Sequence, residues 1–291
     1  MRRRHFLGLC GSLVAGTAGC LQGTDGPADP PERRTDRSST PPTTASGTDP
    51  SAVEITSAAV QPGVVGPNTP DSIGVFDEFG QYLVVQVARA GPAYDAFDFR
   101  FDGQLFPSTT LQSGLYRDDE WGVRYSDGSG PVLFGLPETG DASDARLQFG
   151  DRTWEPPQPV RDRLEAPLPT FDVTMRGPDR VGPDRDPVLL VTVTNESDRS
   201  GWYTLALNRS GPLIASAPIR RIAGTLEPGE ERTISHDARS PFSPDADPSA
   251  VTYRLDVPGE DRGRSHTIEP TERTKTPGWT DEGTATASGT E

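Results

Sequence analysis

The sequence predicts an all-β chain: two small antiparallel β-sandwiches flanked by disordered tails. Three observations carry this. Apolar residues alternate with polar or small ones at Phe97/Phe99/Phe101, Phe171/Val173/Met175 and Val251/Tyr253/Leu255/Val257, so each set lies on one sheet face. Turn pairs recur between such windows, at Asp102-Gly103, Asp127-Gly128, Pro228-Gly229 and Pro258-Gly259. No window sustains a helical apolar period free of Pro and Gly, so helices should be few.

Residues 1–20 combine a cationic start with a short apolar run, the layout of an export signal. Residues 21–51 hold Gly, Thr, Ser, Pro and charges with almost no large apolar side chain. Such a stretch cannot bury enough surface to offset its ordering entropy, and it reads as a disordered tether. At this length it spans on the order of 30 Å as a coil. Residues 52–154 are read as the first β-sandwich, with Leu83/Val85/Val87 as one inward set. Residues 155–167, opening Glu155-Pro156-Pro157-Gln158-Pro159, are read as an extended, proline-rich linker. Residues 168–269 form the second β-sandwich, where Tyr203/Leu205/Leu207 alternate and the continuous run Val188–Val193 suits a central strand. Residues 270–291 return to tether composition, without an apolar tail.

Formal net charge is −15 over 291 residues, which argues against a nucleic-acid partner. One of the 28 cationic residues is a lysine, Lys275; the rest are arginines. This composition resembles that of haloarchaeal surfaces, and it implies solvation in molar salt rather than attraction to a cationic ligand. At such ionic strength the Debye length is only about 3 Å, and long-range steering is lost.

Arg3-Arg4-His5-Phe6-Leu7 resembles the core of the twin-arginine export signal, with Arg3, Arg4, Phe6 and Leu7 on the matching positions. Thr17-Ala18-Gly19-Cys20 resembles a lipobox. Arg2 before the pair, Gly8 after the leucine and Thr17 at the box start depart from those patterns. The resemblance implies cleavage before Cys20 and lipidation of that residue. Membrane lipid would then be a partner through Cys20, at the extracellular face of the cell membrane. Cleavage would also remove Cys10, leaving no thiol for an internal disulfide.

Val191-Thr192-Val193-Thr194-Asn195 and Leu226-Glu227-Pro228-Gly229-Glu230 bracket the Trp202-Tyr203-Thr204-Leu205 strand. This pattern resembles the immunoglobulin-like, CARDB-like domains of archaeal and bacterial surface proteins. It implies an Ig-like sandwich and an extracellular role without fixing a chemistry.

No catalytic set is expected, and no metal site or cofactor. His236 and His266 are the only histidines beyond residue 20, and no phosphate-loop, nucleophile-elbow or H-E-x-x-H motif is present. Ser235, His236 and Asp237 are adjacent in a strand, so neighbours point to opposite faces. The acidic run Asp118-Asp119-Glu120 lies between Tyr116 and Trp121. It suits a sugar or a calcium ion on one reading, and a solvated turn beside two core aromatics, Trp121 and Tyr125, on the favoured one. Asp184/Asp186 and Asp245/Asp247 are D-x-D pairs without the remaining calcium-loop positions. Asn195-Glu196-Ser197 and Asn208-Arg209-Ser210 are glycosylation sequons, and strand parity predicts a solvent-facing Asn208.

The expectation is a lipid-anchored surface protein of a halophile, acting as a non-catalytic binding or structural module in the cell envelope. An envelope protein, an S-layer glycan or a transport complex are its candidate partners. A secreted carboxylate-dependent hydrolase and a solute-binding accessory lipoprotein of a transporter are the alternatives.

Overall fold

In the computed structural model the described residues are 53–111, 113–117, 120–182, 185–211, 214–238 and 249–271. The export segment with Cys20, the tether, Asp118, Asp119, Asp184, the Asp245/Asp247 pair and the tail from residue 272 lie outside them.

The first lobe contains β1 (Glu54–Gln61), β2 (Val64–Thr69), β3 (Ser72–Phe76), β4 (Gln81–Arg89), β5 (Phe97–Phe101), β6 (Gln104–Pro107), β7 (Gly130–Leu136), β8 (Arg146–Phe149), β9 (Arg152–Trp154) and α1 (Gln158–Glu165). The second contains β10 (Phe171–Arg176), β11 (Arg180–Val181), β12 (Val188–Asn195), β13 (Gly201–Gly211), β14 (Ile214–Leu226), β15 (Glu231–Asp237), β16 (Val251–Asp256) and β17 (Arg264–Pro270). The architecture is all-β, with antiparallel ladders throughout except for the two-residue parallel pairing of β11 with β17.

In the first lobe a β1-β4-β7 sheet faces a β6-β5-β8-β9 sheet. Leu83, Val85, Val87 and Phe134 from one side meet Phe97, Phe99, Phe101 and Leu147 from the other, all fully buried. The predicted alternation at β4 and β5 therefore points into this core. β4 is buried on its other face as well. There Tyr82 and Val84 pack with Val64, Leu115, Trp121 and Leu133, so the favoured reading of Trp121 as core holds. Tyr125 packs on the larger core, and its hydroxyl donates to the Pro92 carbonyl at 2.7 Å.

The proline-rich segment departs from an extended linker. α1 occupies Gln158–Glu165, with Pro157 as an extended N-cap and Pro159 inside the first turn. Proline is tolerated there because the amide it lacks would have no helical partner. Leu164 is fully buried in the first lobe's core, and its carbonyl accepts from Gln81 Nε2 at 3.2 Å.

In the second lobe a β10-β12-β15 sheet faces a β11-β17-β16-β13-β14 sheet. Val173, Leu189, Val191 and Val193 meet Tyr203, Leu205, Leu207, Tyr253, Leu255 and Ile268. β12 is the central strand of its sheet, but its apolar run is buried on one face only: Val188 and Leu190 are 44% and 42% exposed.

The two lobes meet along the back of β13. Tyr203, Leu205 and Leu207 face the second core, so Thr204, Ala206 and Asn208 face the first lobe. Ala206 packs with Val65 and Ile73 of the β2–β3 hairpin. Asn208 Oδ1 accepts from the Ile73 amide at 2.9 Å, and its Nδ2 donates to the Ile73 carbonyl at 2.7 Å. One carboxamide thus saturates both backbone groups of one residue. Nearby, the Gly259 amide donates to Asp77 Oδ2 at 2.6 Å.

Candidate functional site: the cleft between the lobes

Beside this seam lies a cleft of about 430 Å³, within the range of small-ligand sites. The first lobe contributes Asp77, Phe79 and Glu138; the second contributes Phe171, Thr204 and Glu260. Each is placed by local structure. Asp77 and Phe79 follow β3 in a short connection to β4, and the edge of the Phe79 ring meets Tyr82 with centroids 5.4 Å apart. Gly80 lets the chain after β7 approach: a Cβ there would stand 2.1 Å from the Glu138 amide nitrogen. Gly201, at the start of β13, plays the same part for Pro169, whose Cγ would lie 2.1 Å from an added Cβ. Phe171 opens β10 and packs against the Tyr203 ring at 5.9 Å. Glu260 follows the Pro258-Gly259 turn and pairs with Arg264.

Thr204 is the unusual member. It is fully buried, it lines the cleft, and its hydroxyl has no hydrogen-bond partner. A desolvated hydroxyl left in that state costs about 1–3 kcal/mol. The acids lining the cleft are Asp77, Glu138 and Glu260; Asp77 accepts from the Gly259 amide and Glu260 is neutralised by Arg264 beside the cleft. The adjoining concavity, about 720 Å³, differs in placing Arg254 and Arg262 among Asp256, Glu260 and Asp261. Burial pushes the Asp256 carboxyl above its usual range, against the pull of Arg254.

Both sequon asparagines are buried and engaged. Asn195 is fully buried and donates from Nδ2 to the carbonyls of Arg199 at 2.8 Å and Leu226 at 3.0 Å, while its Oδ1 accepts from the Ser197 amide and hydroxyl. Asn208 is 7% exposed. Its predicted solvent-facing position is corrected here: the parity is right, but the outer face of β13 is covered by the other lobe. A glycan on either Nδ2 would displace these bonds. Sequence reading missed the cleft, although one signal was present. Thr204, Ala206 and Asn208 bring no charge to the outer face of a strand in a chain that is 24% charged, which marks a covered face.

His236 lies opposite Leu189 in the β12–β15 ladder, with its ring half-buried. Burial, and then Arg220, lowers its pKa from the ordinary 6.5, against a smaller pull from Asp237. The unfolded chain therefore binds the extra proton first as pH falls, and His236 contributes stability above the ordinary pKa that is lost below it. The melting temperature should fall between about pH 7 and 5, and His236→Gln should flatten part of that slope. An identical slope in wild type and variant would refute the assignment. His266 instead faces the Pro178 carbonyl at 3.2 Å. Among the described residues no group of three or more His, Cys, Asp or Glu is arranged to hold a metal ion.

Compared with known proteins, the chain matches no family profile and no curated protein. Solved structures share local likeness. A β-glucosidase from Listeria innocua in complex with laminaribiose is 14% identical over 42% of this chain, with a TM-score of 0.31. A CARDB domain from Pyrococcus furiosus in complex with di-metal ions is 16% identical over 36% of this chain and 90% of its own length, with a TM-score of 0.28. The matched region spans about a fifth of the β-glucosidase, 20% of its chain.

Proposed function

We propose that this chain is a lipid-anchored surface protein of a halophile, acting as a non-catalytic binding module in the cell envelope, with the inter-lobe cleft as its ligand site. The observation that carries the binding role is a cleft of about 430 Å³ lined by residues of both lobes. The anchoring rests on the ordered series of twin arginine, short apolar run and small residues before Cys20. The acid excess with a single lysine supports the saline habitat. The Ig-like, CARDB-like pattern around β12 and β13 agrees with a cell-surface role.

Mass spectrometry of the protein from membranes should find a mature N-terminus at a lipid-modified Cys20. Cys20→Ser should shift the protein out of the membrane fraction at native salt. A Cys20→Ser protein that stays wholly with membranes, or an unmodified Cys20 in the wild type, would overturn the anchoring.

A further inference from the structure

We infer that the outer face of the β10-β12-β15 sheet is a self-complementary surface on which a second copy of this chain docks, related by a twofold axis along β12. This face is separate from the inter-lobe cleft, and the inference does not rest on the binding role given to that cleft.

The first support is apolar. Val188 to Val193 is apolar except for Thr192, the pattern of a strand covered on both faces. The second core covers Leu189, Val191 and Val193, while Val188 and Leu190 stay 44% and 42% exposed. They lie two residues apart on the middle strand of the sheet, hence side by side on its outer face. Thr174, Thr192 and Thr233 form the adjoining row across the three strands. The middle of this face therefore carries no charge, in a chain that is 24% charged.

The second support is charge, and it names the occupant. Arg176 stands in register with Leu190 on one edge strand, and Asp237 with Val188 on the other. Both are exposed, and neither forms an ion pair with another described residue. Two strand spacings, about 10 Å, separate the edges that carry them. A twofold axis along β12 exchanges those edges. It lays Val188 and Leu190 on their own counterparts and brings Arg176 of each copy over the β15 edge of the other, beside Asp237. An axis across the strands would instead set Val188 and Leu190 against Thr194 and Thr192, and Asp237 against Glu231. Only the first arrangement matches apolar to apolar and cation to anion.

One row opposes the pairing: Asp172 and Glu231 share it, and they face each other between copies. Each copy also carries a formal charge of −15. Molar salt shortens the Debye length to about 3 Å and leaves the apolar contact to decide. At sheet spacings the face offers roughly 350 Å² per copy. That is below the roughly 800 Å² per partner of a stable dimer, so the pairing is weak and concentration-dependent.

The test is sedimentation equilibrium of the full chain carrying Cys10→Ser and Cys20→Ser, in molar KCl, from micromolar to millimolar concentration. A reversible dimer is expected toward the upper end. Leu190→Arg should abolish it. Arg176→Asp or Asp237→Arg alone should weaken it about fivefold, and the two together should restore it. All three positions are exposed, so melting temperatures should stay near that of the parent chain. In the same background, Leu190→Cys should be captured as a dimer by a two-carbon bis-maleimide, because facing sheets lie about 10 Å apart. Thr225→Cys, exposed on β14, should not be captured. A chain that stays monomeric throughout, or a dimer that survives Leu190→Arg, would overturn the inference. Equal capture at the two cysteine positions, or charge reversals without effect or without mutual rescue, would overturn the twofold arrangement. Lipid anchoring is read separately, from Cys20.

Discussion

Asn208→Ala is expected to lower the unfolding free energy by about 2–4 kcal/mol, because it leaves two buried backbone groups of Ile73 without partners. Ile73 is 1% exposed, so water reaches its amide and carbonyl only if the seam opens. Urea denaturation at fixed KCl measures the effect. Trp121 lies in the first lobe and Trp202 on β13 of the second, so fluorescence samples both sides of the seam. Wild type should unfold in one transition, and the variant should show a lower midpoint with the lobes beginning to separate. Asn208→Asp sharpens the test. It keeps the shape and an acceptor for the Ile73 amide but sets a carboxylate against the Ile73 carbonyl. It should be at least as destabilising as alanine. An unchanged midpoint in both variants would show that this carboxamide does not hold the lobes together.

Leu164→Ala should cost about 2–5 kcal/mol, the range for deleting a buried leucine side chain. Its α1 neighbour Asp162 is exposed and pairs within the helix, accepting from Gln158 Nε2 at 2.6 Å. Asp162→Ala should therefore stay within about 0.5 kcal/mol of wild type. The contrast separates a helix that closes the first core from a passive linker, since a linker would make both substitutions neutral. Equal melting temperatures for the two variants would restore the linker reading.

These two sites also mark where the sequence was legible. The inward sets at β4, β5, β10, β13 and β16 follow from period-two alternation, because a strand with one face on a core leaves that trace. Alternation does not say what covers the opposite face. At β13 that face is Thr204, Ala206 and Asn208, whose lack of charge marks a cover without saying that the β2–β3 hairpin supplies it. At α1, three prolines within Glu155–Pro159 outweighed the pattern Val160 to Leu164, whose four-residue spacing puts both on one helix face. Proline density signals broken pairing, yet the first turn of a helix needs no amide from it. The cleft was the least legible feature. Its residues come from the β3–β4 connection, the chain after β7, the start of β10, β13 and the turn after β16, which only the packed lobes bring together.

β4 carries a further consequence. It is hydrogen-bonded to β1 on one edge and β7 on the other, and Tyr82 to Val85 are fully buried on both faces. Water has no local route to these amides, so their deuterium uptake should wait for the whole unit to open. Their exchange rate would then serve as an internal gauge of global stability. A ligand that binds the folded protein and not the unfolded chain would slow it by a factor of one plus the ratio of free ligand concentration to Kd, so the gauge would also read affinity.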